Sequence, residues 1–236
     1  MIRDLLTSVR SVSLRTWAGL GLALPASLFL GGCATSGGGG SYHTTAYQAT
    51  DPSAVHVKVS LATQNVYVEQ GNQLLMATPT CVGRPGYATP TGDFQVMDKI
   101  RDKRSSTYGY WVNGSEAHAG TSSQDPGPGW HYVGYPMAFW VEFTPGYGFH
   151  EGPIWPYPRS HGCLHIHDTA SAKLFELVHV GTPVQVADHL PEDSQYHVDR
   201  PSDYADPDPP ASLMTSPDFF NKPRDTQLLP PPTPSA

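Results

Sequence analysis

"VHVKVSLATQNVYVEQGNQLLMATPT", Val55 to Thr80, is the stretch that decides the fold. Apolar and polar residues alternate along it, and the alternation breaks twice, at "ATQN" and at "QGN". Period-two patterning with turn residues at the breaks predicts short antiparallel strands joined by tight turns. Further along, "ATPTGDFQVMD" repeats the theme with a Pro-Thr-Gly turn and another strand. From Tyr108 to Tyr157 lie 13 of the chain's 25 aromatic residues among many Gly and Pro, with no helical period. That segment reads as strands and long loops. One helix is expected: Asp168 caps it, Leu174, Leu177 and Val178 share its core face, and Gly181 ends it before the strand "TPVQVA". The fold class is therefore mainly β, a sandwich or barrel-like sheet with one short helix.

Outward from this core the chain changes character. Arg3, Arg10 and Arg15 precede the apolar run "WAGLGLALPASLFL", and small residues, "LGGC", close the segment at Cys33. Fourteen apolar residues span only about 21 Å as a helix, short of a ~30 Å hydrocarbon core. Residues 1–32 thus read as a cleaved signal. "LGGC" resembles the bacterial lipobox, which implies lipidation of Cys33 and attachment to a membrane. Residues 33–53, rich in Gly, Ser and Thr, read as a tether reaching about 70 Å when extended. The folded domain is placed at 54–190. Residues 191–236 hold 11 prolines and many acids, and are expected to stay unfolded.

Charge and cysteine usage narrow the classes. The net charge of −7 becomes −9 once Arg3, Arg10, Arg15 and Asp4 leave with the signal, so a nucleic-acid partner is not expected. With Cys33 bearing lipid, Cys81 and Cys163 remain. An oxidising compartment permits a disulfide between them. Cys81 is nonetheless expected to be an unpaired, buried strand thiol.

The chemistry concentrates in "YPRSHGCLHIH", Tyr157 to His167. A cysteine becomes a nucleophile as thiolate, so it needs a base, a cation or a helix N-terminus nearby. Cys163 has His161 and His165 two residues away on either side, His150 thirteen back, and the expected helix just ahead. Gly162 leaves its peptide unshielded, so the Gly162 and Cys163 amides are candidate oxyanion donors. The same residue types, with His167, suit zinc. The spacing matches neither "CxxC" nor "HExxH", so no metal and no cofactor are assigned.

"SHGCLHI" resembles the "[S/T]HGC(I/V/L)R(M/L)" signature of the L,D-transpeptidases with a YkuD-type catalytic domain. The "TPTG" turn, the opening strands and "GFHEGPIWPYPRSHGC" are similar to that family in the same order. The resemblance implies a YkuD-like β-sandwich in which Cys163 is the nucleophile and His150 the base, its ring oriented by a backbone carbonyl at Glu151 or Gly152. Ser160, His161, Gly162 and His165 then shape the turn or position substrate. It implies attack on peptidoglycan stem peptides, release of D-alanine, and transfer to an amine of another stem, an envelope lipoprotein or a free D-amino acid. Water as acceptor would make a carboxypeptidase or a hydrolase of lipoprotein–peptidoglycan links. The family arginine is replaced here by His165, which raises the further alternative of a non-catalytic wall-binding lipoprotein. Ala34 after the lipidated cysteine resembles outer-membrane sorting in a Gram-negative host, on the periplasmic face of the envelope.

Overall fold

The computed structural model describes residues 42–200 and 208–231. Cys33, the signal segment and the start of the tether lie outside the described residues. The core is one mixed ten-stranded sheet. Its strands are β1 (Val55–Ser60), β2 (Asn65–Gln70), β3 (Gln73–Cys81), β4 (Gly92–Gln95), β5 (Asp98–Asn113), β6 (Glu116–Thr121), β7 (His131–Thr144), β8 (Tyr147–Glu151), β9 (Leu164–Ile166) and β10 (Pro183–Ala187). They are ordered β4-β10-β1-β2-β3-β9-β8-β7-β5-β6. The helices are α1 (Asp168–Leu177), α2 (Glu192–Gln195) and α3 (Ala211–Thr215). Among the described residues no helix is long and apolar enough to cross a membrane.

The opening stretch folds as its patterning predicts. In β1, Val55, Val57 and Val59 are buried while the residues between them are partly exposed. β1, β2 and β3 pair antiparallel. The β2–β3 turn places Gly71 at φ 58, which glycine adopts without the Cβ penalty. The valines of β1 and β2 share one core cluster with Phe143, Phe149, Leu164 and Ile166 from the other half of the sheet and with Leu174 of α1. The sandwich is thus a single sheet, continuous through the β3–β9 pairing, whose two halves bury a common interior.

Two expectations hold in outline and change in detail. The helix forms over Asp168–Leu177 with Leu174, Leu177 and Val178 buried. Its cap, however, is His167, whose side chain accepts from Thr169 N–H, while Asp168 occupies the first turn. The aromatic segment forms strands as expected, two of them long, β5 and β7, which pair antiparallel. Trp111 and Trp140 are buried, and Trp130 stands against His118.

The segments on either side of residues 54–190 pack more closely than expected. The expected tether reaches into the fold: Thr44 and Ala46 are buried, and Ala46 bridges Met76 of β3. The expected unfolded tail is ordered wherever it is described. It contributes α2 and α3, buries Met214, sets Phe219 and Phe220 against Ala138, Phe139 and Ala172, and bridges Tyr47 at Leu229. The reason is that this segment has no core of its own and does not need one. It borrows the domain's apolar surface and docks through charge-assisted contacts. Lys173 Nζ reaches Thr44 O at 2.7 Å and Asp225 Oδ2 at 2.7 Å, tying helix, N-terminal segment and tail at one buried ammonium.

The strongest of these ties is Arg224. Its Nε and Nη2 each meet a Glu151 carboxylate oxygen at 2.9 Å, and both side chains are buried. Removing one partner of a buried ion pair leaves an uncompensated charge. Arg224→Ala is therefore expected to destabilise the protein by about 3 kcal/mol, read from the midpoint of denaturant unfolding; a change below about 1 kcal/mol would place the pair with ordinary surface bridges.

Candidate active site

β8 and β9 run parallel, with Phe149 opposite Leu164, His150 opposite His165 and Glu151 opposite Ile166. Side chains paired across a sheet share a face, and alternation sends neighbours to the other. Phe149, Leu164 and Ile166 accordingly enter the core. His150 and His165 take the opposite face, and Cys163, two residues before His165, joins them. Cys163 and His150 are thus diagonal neighbours. Both line a cavity of about 710 Å³, together with Ser160, His161 and His165.

His150 is buried, and its Nδ1 lies 2.8 Å from Glu151 O. A carbonyl only accepts, so Nδ1 carries the hydrogen and Nε2 is left with a free lone pair. The expected backbone orienter is Glu151. Tyr135, Trp140 and His165 surround the ring at centroid distances of 6.4, 6.1 and 4.8 Å. Burial, reinforced by the neighbouring His165, lowers the His150 pKa to about 3. The imidazole is neutral.

Cys163 is partly exposed, and its Sγ sits 3.8 Å from Gly146 O at the β7–β8 turn. Burial of the thiol raises its pKa to about 11; the Gly148 N–H and the charge of Lys103 oppose that rise, and Glu142 adds to it. The sequence reading placed a thiolate here. The resting pair is instead thiol and neutral imidazole. The expected helix N-terminus is not at hand either, because β9 intervenes before α1.

The turn before the cysteine is held by Ser160. Its Oγ donates to Cys163 O at 2.6 Å and accepts from Gly162 N at 3.0 Å. This corrects one expectation: the Gly162 amide is committed to Ser160 and is not an oxyanion donor, which leaves the Cys163 N–H of the two. Gly162 has φ 108, and a Cβ there would stand 2.6 Å from Tyr147 Cε1 and 3.3 Å from Tyr87 O. Gly162→Ala is expected to lose at least tenfold in thiol reactivity toward a cavity-sized electrophile, since both the conformation and the space exclude a side chain. Unchanged labelling of Cys163 in that variant would show that the turn tolerates it.

The remaining histidines each take partners of their own. His161 Nε2 accepts from Arg84 Nη2 at 2.9 Å, and its ring stacks on Tyr108 at 4.5 Å and meets Tyr87 edge-on. Burial, with the charge of Arg84, lowers its pKa. His165 Nδ1 donates to Pro153 O at 3.0 Å, and its ring lies between His150 and Trp155. Burial lowers its pKa to about 4, so it brings no charge to the position where the family signature carries arginine. His167 turns to Thr169 and Tyr42. Among the described residues no group of three metal-binding side chains gathers.

Cys81 is a buried free thiol that packs with Ile154 and Trp155, and Cys163 is also free. Trp155 is a wall of the cavity as well as packing, whereas Tyr157 faces solvent.

Sequence reasoning missed several residues. Thr89, inside the "TPTG" turn, donates to Gly162 O at 2.9 Å and so braces the cysteine loop. Tyr135 closes on His150. Arg84 and Arg159 line the cavity, as do Asp208 and Pro209 of the tail. Only Thr89 and Arg159 carried a signal, by standing in or beside the quoted motifs.

The family model of the L,D-transpeptidase catalytic domain, YkuD, matches residues 54–186. L,D-transpeptidase 1 of Mycobacterium tuberculosis is 28% identical over 129 residues, which cover 54% of this chain and 48% of the relative. The putative L,D-transpeptidase YkuD of Bacillus subtilis is 28% identical over 72 residues, 30% of this chain and 44% of the relative. The chain thus spans about half the length of the curated relatives it matches. A solved L,D-transpeptidase from Stackebrandtia nassauensis aligns at 23% identity and a TM-score of 0.44, covering 62% of this chain and 60% of that one. With more than half of its residues matched by the family model, the chain belongs to the L,D-transpeptidase catalytic domain family.

Proposed function

We propose that this protein is a cysteine-dependent L,D-transpeptidase acting on peptidoglycan stem peptides. The observation that carries this reading is the placement of Cys163 and a neutral, carbonyl-oriented His150 on one face of one cavity. Cys163 Sγ attacks the carbonyl carbon of the third stem residue while His150 Nε2 takes the thiol proton. The negative charge moves to the carbonyl oxygen, where the Cys163 N–H stabilises it. Collapse of the adduct breaks the bond to D-alanine, whose nitrogen receives the proton from His150. An acceptor amine then attacks the thioester, passes a proton to His150, and the thiol is regenerated as the new amide forms. His165 serves as a neutral packing ring that holds His150 in place.

The acceptor in this reading is an amine of another stem, an envelope lipoprotein or a D-amino acid. Lipidation of Cys33 after removal of residues 1–32 would hold the domain on the periplasmic face of the envelope, at the outer membrane of a Gram-negative host. Incubating the protein with a defined tetrapeptide stem and following masses tests the central claim. The expected result is an acyl adduct on Cys163 with loss of D-alanine, followed by an amide product when amine is present. Persistent water-terminated product would reassign the protein as a hydrolase; absence of any adduct on wild-type protein would leave a wall-binding domain.

A further inference from the structure

The cavity wall has a charge pattern that the chemistry above does not use. Arg84 and Arg159 line it, and the single carboxylate among its lining residues belongs to Asp208, brought in by the C-terminal tail. Arg159 Nη2 contacts Asp208 Oδ2 at 2.6 Å. The guanidinium is not free to wander, because its carbon lies 4.1 Å from the centroid of the Trp155 ring, and Trp155 is buried against Cys81 and Ile154. Trp155 in turn meets His165, which meets His150. Arg159 is therefore a fixed cation at the end of a rigid aromatic chain leading to the imidazole. Its neighbour Ser160 holds the cysteine turn.

We propose that Arg159 is the specificity-determining residue for a free carboxylate on the donor substrate, and that Asp208 of the chain's own tail occupies that place until the substrate displaces it. The proposal rests on the stem-peptide reading for the identity of the donor. A planar guanidinium recognises a carboxylate through paired, charge-assisted hydrogen bonds, and Trp155 holds it ready to do so. His165 brings no charge to the cavity, and Arg159 lines it from the other side of the cysteine turn. The Arg159–Asp208 pair suits exchange, since both side chains are more than a third exposed and such pairs hold weakly. The Asp208 carboxylate offers the same two oxygens as the ligand it stands in for.

The test compares three donors: a stem tetrapeptide with its carboxylates free, the same peptide amidated at the third-residue side chain, and the same peptide amidated at the C-terminal D-alanine. Arg159→Gln keeps a side chain over Trp155 and removes the charge. It is expected to raise KM for the free donor about tenfold to a hundredfold with kcat little changed. That penalty disappears for the one amidated form lacking the carboxylate Arg159 holds, which identifies the group. Asp208→Asn is expected to lower KM for the free donor about threefold. Equal penalties on all three donors, or none on any, overturn the assignment. A second readout is independent of turnover: the ratio of Cys163 alkylation rates with iodoacetate and iodoacetamide, two reagents that differ in charge. The ratio is expected to fall about fivefold or more in Arg159→Gln and to rise in Asp208→Asn. If wild-type protein fails on every stem peptide, the stem reading falls while this ratio still decides the role of Arg159; an unchanged ratio overturns it.

Discussion

Replacing His150 with glutamine is expected to slow acylation of Cys163 by about 10²–10⁴-fold while the protein remains folded. Glutamine keeps a donor for the Glu151 carbonyl and much of the ring's volume, but it offers no basic nitrogen. The size of the loss follows from the resting state of the pair. With the thiol pushed up to about 11, the thiolate is about one molecule in 10⁴ at neutral pH. The proton must therefore leave sulfur during attack, and His150 Nε2 is the nitrogen left free to take it. The pH dependence carries the same signature. With His150 down to about 3 and Cys163 up to about 11, the neutral pair persists between those values, so kcat/KM is expected to be nearly flat from about pH 5 to 9. Alkylation of the free enzyme by iodoacetamide, which needs the thiolate, is expected to rise about tenfold per pH unit over the same range. A strong ultraviolet thiolate absorbance at pH 7, or a bell-shaped profile centred near neutrality, would show a preformed ion pair and remove this account.

The parts of the fold that were legible in the sequence are those whose burial is one-sided and local. The valines of β1 alternate because one face of that strand meets the core, and the eye reads that period directly. His150 and Cys163 were legible as types, and the carbonyl that orients the ring, at Glu151, is one of the two that the family resemblance implied. What was lost depends on distant partners. Whether the Gly162 amide is free depends on the rotamer of Ser160, which spacing does not reveal. Ionisation of Cys163 depends on the burial created by β7 and β8, not on the histidines beside it in sequence. The tail looked unable to fold because proline and acid content was weighed against a core of its own. Arg224 shows the error, since a single arginine finds a buried carboxylate 73 residues away and anchors the segment. Glu151 itself sits on the core-facing side of β8 as a direct result of His150 facing the cavity. The register that turns His150 to the cavity therefore creates the buried charge that the tail neutralises.

Acid should unfold this protein early, with about two protons taken up per molecule as pH falls from 6 to 4.5. His150 and His165 pack ring to ring in the cavity wall, both neutral, with folded-state pKa values of about 3 and about 4 against an ordinary 6.5. Their folded values lie below the unfolded ones, so the unfolded chain binds more protons throughout the interval between. Stability is fully present above pH 6.5 and is lost as pH falls toward the folded values. At pH 4.5 the two rings together contribute a loss of about 5 kcal/mol, which is comparable to the entire stability of many domains. His161, whose pKa is also lowered, acts in the same direction. The aspartates whose values are lowered, Asp51, Asp168, Asp193 and Asp225, enter only below about pH 4, so the window above 4.5 belongs to the imidazoles. Urea midpoints measured every half unit of pH check this, with an expected slope of about 2 to 3 kcal/mol per pH unit. In His165→Phe the slope should fall to about half, because one titrating ring is gone while an aromatic still fills the space between Trp155 and His150. A stability that stays level from pH 6.5 to 4.5 would mean that the folded site admits water and protons freely. The base would then be an ordinary exposed imidazole, and the neutral thiol–imidazole pair, which rests on the burial of both groups, would have no physical basis.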